Sequence, residues 1–111
     1  MSRAQASFDE ATARRVRQLL ADKRPVERKM MGGLAFMVNG AMCCSVGRDG
    51  VLVRVTPEER DTLLAKPHVT PMKLGRRVMA GFLRVGFEGV RTDAALAKWL
   101  ARGLDAAKQS A

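Results

Sequence analysis

The dipeptide Asn39-Gly40 constrains what this chain can fold into more than any other two residues. A two-residue hairpin loop of type I′ needs positive φ at both central positions, and Asn-Gly is the pair that adopts it at least cost. On either side lie apolar runs of strand length, residues 34–38 and 41–46. The loop length sets a register: Val38 opposite Ala41, Met37 opposite Met42, Phe36 opposite Cys43. Turn chemistry extends the pattern both ways. Gly32-Gly33 closes a strand over residues 26–31 that is entered from Pro25, and Gly47-Arg-Asp-Gly50 leads into a strand over 51–55. Residues 26–55 therefore predict a four-stranded antiparallel meander.

The faces of these strands carry a second constraint. Val51, Val53 and Val55 fall on one side of the fourth strand, Leu52 and Arg54 on the other. In the hairpin both sides are apolar, with Phe36 and Cys43 on one and Met37, Met42 and Cys44 on the other. An antiparallel sheet with one wet face alternates apolar and polar residues. Here the second face needs cover, either by the long helices of the chain or by a second copy in a homodimer.

Three helices flank the meander. Ser7-Phe-Asp-Glu10 has capping-box spacing, and Val16, Leu19 and Leu20 follow at helical spacing until about residue 23, ahead of Pro25. Thr56-Pro-Glu-Glu59 combines a capping box with proline at the first helical position; Leu63 and Leu64 form the buried side and Pro67 ends the helix. Thr92-Asp93 caps a last helix whose stripe is Leu96, Trp99, Leu100 and Leu104. At that spacing Trp99 reads as core rather than as a ligand platform. Residues 108–111 are expected to fray.

Between the second and third helices, Pro67 and Pro71 predict an irregular connection over residues 66–77. A strand at 78–79 and 82–87 follows, interrupted at Gly81. The expectation is a single α+β domain over residues 1–111, with an antiparallel sheet of four to five strands.

Composition bounds the function. Hydrophobic residues make up 47% and charged residues 28% of the chain, which excludes a disordered polymer. No apolar run approaches the roughly 20 residues of a bilayer span. Residues 1–7 carry no apolar targeting core, so the expected location is the cytoplasm and no membrane partner is expected. The net charge is +9, which favours anionic partners or serves only solubility. It is uneven: residues 66–91 hold six Lys/Arg against one Asp/Glu.

The search for chemistry is mostly one of exclusion. His68 is the only histidine, so a histidine-based metal cluster is ruled out and zinc has no ligand set. Cys43 and Cys44 are adjacent. In a regular strand their side chains point to opposite faces, which predicts two reduced, buried thiols that cannot share a metal. Phosphate-loop and dinucleotide fingerprints are absent, and no cofactor or catalytic residue is expected. Two sets of binding candidates remain. Lys73, Arg76 and Arg77, with Arg84 beyond them, suit nucleic-acid phosphates or an acidic partner without reading sequence. Arg28-Lys29 ahead of Gly32-Gly33, with His68, form a candidate site for a small anion; the glycine pair reads equally as a tight turn.

Several blocks taken in order resemble a known family. They are residues 28–46 (Arg-Lys-Met-Met-Gly-Gly-Leu-Ala-Phe-Met-Val-Asn-Gly-Ala-Met-Cys-Cys-Ser-Val), 49–55 (Asp-Gly-Val-Leu-Val-Arg-Val), 66–72 (Lys-Pro-His-Val-Thr-Pro-Met), 79–85 (Met-Ala-Gly-Phe-Leu-Arg-Val) and 96–100 (Leu-Ala-Lys-Trp-Leu). Together they look like the TfoX/Sxy N-terminal domain. The family's Met-Phe-Gly-Gly stands here as Met30-Met31-Gly32-Gly33. The resemblance implies an α+β domain with an antiparallel sheet. It also implies a non-enzymatic regulatory module: full-length members regulate natural competence, acting with the cyclic-AMP receptor protein at promoters, and carry a C-terminal helical domain that residues 1–111 do not include. No catalytic residues of the family are carried over. The partner so implied is the transcription machinery or nucleic acid.

Overall fold

A computed structural model describes residues 8–30 and 32–110. In chain order the elements are helix α1 (Glu10–Leu19), strands β1 (Val26–Met30), β2 (Gly33–Val38), β3 (Ala41–Val46) and β4 (Gly50–Arg54), helix α2 (Pro57–Leu64), strands β5 (Val69–Leu74) and β6 (Arg77–Gly86), and helix α3 (Asp93–Ser110). The strands form one antiparallel sheet in the order β1-β2-β3-β4-β6-β5. The class is α+β, with six strands where four to five are expected.

The additional strand is β5. Two prolines suggest an irregular connection there, but Pro67 lies ahead of the strand and Pro71 lies inside it. Proline removes one ladder donor, a loss that an edge strand tolerates because one side has no partner. β5 is that edge, paired only with β6.

Caps decide where the helices start. Asp9 accepts from the Thr12 backbone N–H at 3.0 Å and from the Thr12 hydroxyl at 2.6 Å, so α1 begins two residues later than a Ser7 cap implies. Ser7 lies outside the described residues. A short 3₁₀ turn, Ala21–Lys23, finishes the segment. Thr56 and Glu59 form the expected reciprocal box on α2. Thr92 Oγ1 accepts from the Ala95 N–H at 3.1 Å, and α3 runs to Ser110, past the point of expected fraying.

One sheet face and the three helices enclose the core. Leu34, Phe36, Cys44, Val46, Val51, Val53, Leu83, Val85 and Val69 supply the sheet side; Ala13, Val16, Leu20, Leu63, Leu96, Trp99 and Leu100 supply the helical side. Trp99 is buried there as expected. Arg15 ties α1 to the start of α3: its Nε donates to Asp93 at 3.0 Å and its Nη2 to the Val90 carbonyl at 2.8 Å.

Residues of the opposite alternation, among them Ala35, Met42, Ser45 and Leu52, lie outside that cluster. These residues are nonetheless buried, and the end of α3, at Ser110, lines a cavity on that face with Met37, Met42, Arg54 and Phe82, so the cover expected from the long helices is partial. All three helices pack on the first face, because the apolar stripe of each serves the one shared core.

The hairpin register departs from the simple one in a single place. Val38 pairs with Ala41 and Met37 with Met42, but Phe36 pairs with Cys44. Cys43 is an extra residue, a β-bulge. Helix α3 approaches the sheet closely at this point. A Cβ on Gly103 would run into the carbonyl oxygen of Cys43 and lie 3.3 Å from Val53 Cγ1. Ala in place of Gly gains about 0.5–1 kcal/mol of helix propensity, whereas overpacking a core costs about 1–3 kcal/mol. Gly103→Ala is therefore expected to destabilise the fold, read as a lower midpoint in urea denaturation.

On the rim, Arg17 Nε donates to Glu27 Oε2 at 2.6 Å and Nη2 to Oε1 at 2.9 Å, joining α1 to β1. The hydrogen bond from Arg17 holds the Glu27 carboxyl below its usual range against the opposing pull of burial. A depressed folded-state pKa means stability present above the unfolded carboxyl pKa, near 4.3, and lost as pH falls through the folded value. Both groups are partly solvated, so the increment is at most about 1 kcal/mol. Glu27→Gln should lose it at pH 7 and converge on the parent as pH falls through the folded carboxyl's lowered value, read in a denaturation series.

Candidate functional site

The β5–β6 hairpin extends beyond the rest of the sheet. Only Phe82–Gly86 of the ten residues of β6 pair with β4. Val55 N–H adds one bond to the Gly81 carbonyl at 2.9 Å. Before that, the strand is partnered by β5 alone, through Lys73↔Val78 and Leu74↔Arg77. The two-residue loop Gly75-Arg76 joins them, with Gly75 at φ +62°, a region that favours glycine. A two-stranded arm results. It gathers Lys73, Arg76 and Arg77 at its tip, all exposed. Leu74 and Val78 are exposed beside them, at 41% and 48%. Among the described residues none of these three cations joins an ion pair.

Arg84 does not belong to this tip. It lies seven residues further along β6, roughly 20 Å away at strand rise, and half-buried. Successive pairings set it in a row across the face opposite the core: Arg28, Ala35, Ser45, Leu52, Arg84, Thr70. The neighbouring positions on that face include Met37, Met42, Arg54 and Phe82. Arg54 stacks 4.7 Å from the Phe82 ring centroid, and its Nε donates to the Met42 carbonyl at 2.6 Å, beyond the end of the β3–β4 ladder.

The proposed small-anion set is only partly brought together. Gly32, at φ +77°, belongs to the β1–β2 turn. Gly33 is in β2, where a Cβ would lie 2.7 Å from the Val46 carbonyl oxygen. Both glycines line a cavity of about 190 Å³ with Ser45, Arg48, Asp49 and Arg84. Arg28 and Lys29 alternate, Arg28 toward the face opposite the core with Ala35 and Lys29 toward the helical face with Leu34. His68, exposed and at φ +67°, precedes β5. Its carbonyl accepts from Gly86 N–H at 2.8 Å. It stands at the opposite edge of the sheet from β1, five strand spacings or roughly 24 Å away. His68 therefore does not converge with Arg28 and Gly33.

The bulge makes a constellation that strand alternation denies. Cys43 and Cys44 are both fully buried, and their Sγ atoms are 3.9 Å apart. The expectation that they face opposite sides fails because the extra residue interrupts the alternation. Accepting the Cys44 S–H holds the Cys43 thiol below its usual range once it ionises; burial opposes this, and the charge of Arg54 assists. Cys44 is pushed well above its usual value, first by its bond to Cys43 and then by burial. No turn residue marks the bulge. The one hint in the sequence is the unbroken apolar run Met42-Cys43-Cys44.

Among the described residues no group of three or more His, Cys, Asp or Glu is placed to hold a metal, and no helix is long and apolar enough to cross a membrane. Residues 18–107 match the family described as the TfoX N-terminal domain. The chain belongs to that family. The match spans every strand and all of α2, and the six-stranded sheet with its projecting arm is how this TfoX N-terminal domain is built. No curated protein and no solved structure matches the chain significantly.

The thiol pair has a direct spectroscopic consequence. In Cys44→Ala, Cys43 loses the donor that favours its thiolate. Its titration, followed by the ultraviolet absorbance of the thiolate, should move to higher pH.

Proposed function

We propose that this chain is a non-enzymatic regulatory module of the competence-regulator type. In this reading it works in the cytoplasm and engages nucleic-acid phosphates, within a transcription complex, through the β5–β6 arm. The observation that carries the reading is the arm's tip: Lys73, Arg76 and Arg77 are exposed, lie within five residues of one another and have no carboxylate partner among the described residues. A two-stranded ribbon is narrow enough to enter a groove. Lys and Arg side chains at its end gain affinity by releasing counterions, without reading bases.

A homodimer through the sheet face opposite the core fits less well. Arg28, Arg54 and Arg84 all lie on that face, and opposing two such surfaces sets like charges together. An anionic partner suits it better than a second copy. A second reading, a small-anion site, is supported by the cavity at Gly32, Gly33, Ser45 and Arg84; it no longer needs His68 or Lys29.

Binding to a duplex DNA of mixed sequence, measured across a salt series, tests the main reading. Affinity should fall steeply with salt. The triple variant Lys73→Ala, Arg76→Ala, Arg77→Ala should bind more weakly, with a log–log slope smaller by up to about 3. No binding at low salt, or a triple variant that binds like the parent, would sink it.

A further inference from the structure

We propose that the cavity beside the β1–β2 turn binds a short-chain monocarboxylate through Arg84 and Ser45, an inference that rests on the small-anion reading of that cavity and names its ligand. Ser45 is 3% exposed, yet among the described residues its hydroxyl makes no hydrogen bond. Burying a hydroxyl without a partner is costly, so a group that lines a cavity in this state calls for a partner from outside the chain. Glycine keeps the approach open. A Cβ on Gly33 would stand 2.9 Å from Ser45 Oγ and 2.7 Å from the Val46 carbonyl oxygen, so a side chain there would fill the space in front of the hydroxyl.

Arg84 supplies the charge. It follows Ser45 and Leu52 in one row across the sheet, and all three line the cavity. Two strand spacings, roughly 10 Å, separate its backbone from that of Ser45, a gap that one arginine side chain and a small ligand fill together. Arg84 is half-buried, and among the described residues it joins no hydrogen bond or ion pair.

Size and charge select the ligand. A volume of about 190 Å³ is below the roughly 300–1,000 Å³ of pockets that enclose drug-sized molecules, so the cavity suits a few heavy atoms and not a nucleotide. The charged side chains lining it are Arg48, Arg84 and Asp49, one positive charge in excess. That excess balances a monoanion, whereas a dianion such as phosphate keeps an unmatched charge beside Asp49. A carboxylate also matches the planar guanidinium with two parallel hydrogen bonds and has lone pairs left for the Ser45 hydroxyl. Leu52, 7% exposed, offers apolar contact to a short alkyl end. An α-amino group on the ligand would meet Asp49, so plain acids and α-amino acids are two sources of the same headgroup.

The test is titration of the isotope-labelled protein with propionate, alanine and phosphate at constant ionic strength, followed by NMR. The expected result is saturable shifts at Gly33, Ser45 and Arg84 with a carboxylate, at lower concentration than with phosphate, while Lys73, Arg76 and Arg77 on the arm stay unmoved. Arg84→Gln should weaken binding about tenfold or more, and Ser45→Ala about threefold or more. Without ligand, Ser45→Ala should keep or raise the Tm, because it removes an unbonded hydroxyl. Asp49→Asn should tighten propionate binding; if the ligand is an α-amino acid, the same variant should weaken alanine binding. Phosphate binding more tightly than either carboxylate would overturn the proposal and leave the small-anion reading standing. The absence of localised shifts with any of the three would overturn both, and a Tm that falls in Ser45→Ala would overturn the role of Ser45 as a waiting donor.

Discussion

Helix α3 sits tightly on the bulge in β3, and the packing of the helices on the sheet depends on that contact. A glycine at position 103 lets the helix backbone come down onto the Cys43 carbonyl, where any side chain would stand it off. The bulge and the glycine are complementary: one extra residue is accommodated in the strand and one side chain is removed from the helix. With α3 seated there, Trp99, Leu100 and Leu96 reach the inner face of the sheet, and α1 is carried along by packing and by the Arg15 clamp on Val90 and Asp93. Close packing leaves little freedom to slide such an interface.

Placing all three helices on one face leaves the other face with three arginines and several methionines. Most of its central residues are nonetheless buried, Ala35, Met42, Ser45 and Leu52 among them. Among the described residues the exposed large apolar side chains are Val26 and Met30 on β1 and Leu74 and Val78 on the arm. Both are edges of the pairing, where β1 has a partner on one side only and the arm has outrun β4. Cations at edges discourage strand-on-strand association. In the function proposed above, the same cations at the arm's tip would also meet the phosphates.

Much of the scaffold was legible because local rules were strong. Asn39-Gly40 and Thr56-Pro57-Glu58-Glu59 imply a hairpin and a helix start, and both are present in the structure. Leu96, Trp99 and Leu100 sit in the core as their spacing implies. The family was legible for the same reason, since its matching blocks are these turns and apolar runs. Two readings failed where tertiary context outweighed a local rule. Pro71 argued against a strand, yet an edge position makes the missing donor harmless. Alternation placed Cys43 and Cys44 on opposite faces, and one bulged residue brought their sulfurs together. The candidate binding residues divided in the same way: Lys73, Arg76 and Arg77, neighbours in sequence, stay neighbours on the arm, whereas Arg28 and His68 are carried to opposite edges of the sheet.

By itself the sequence determined the meander, the three helices, the basic character of residues 66–91 and the family, since each rests on turn chemistry, periodicity or composition within a few residues. Only the tertiary structure decided that the tip of that basic segment is a projecting arm, that the apolar stripes of the three helices gather on one sheet face, and that two adjacent cysteines share one side. Those features depend on the strand order and on where α3 lands, and both are settled by burying one common core rather than by any local preference.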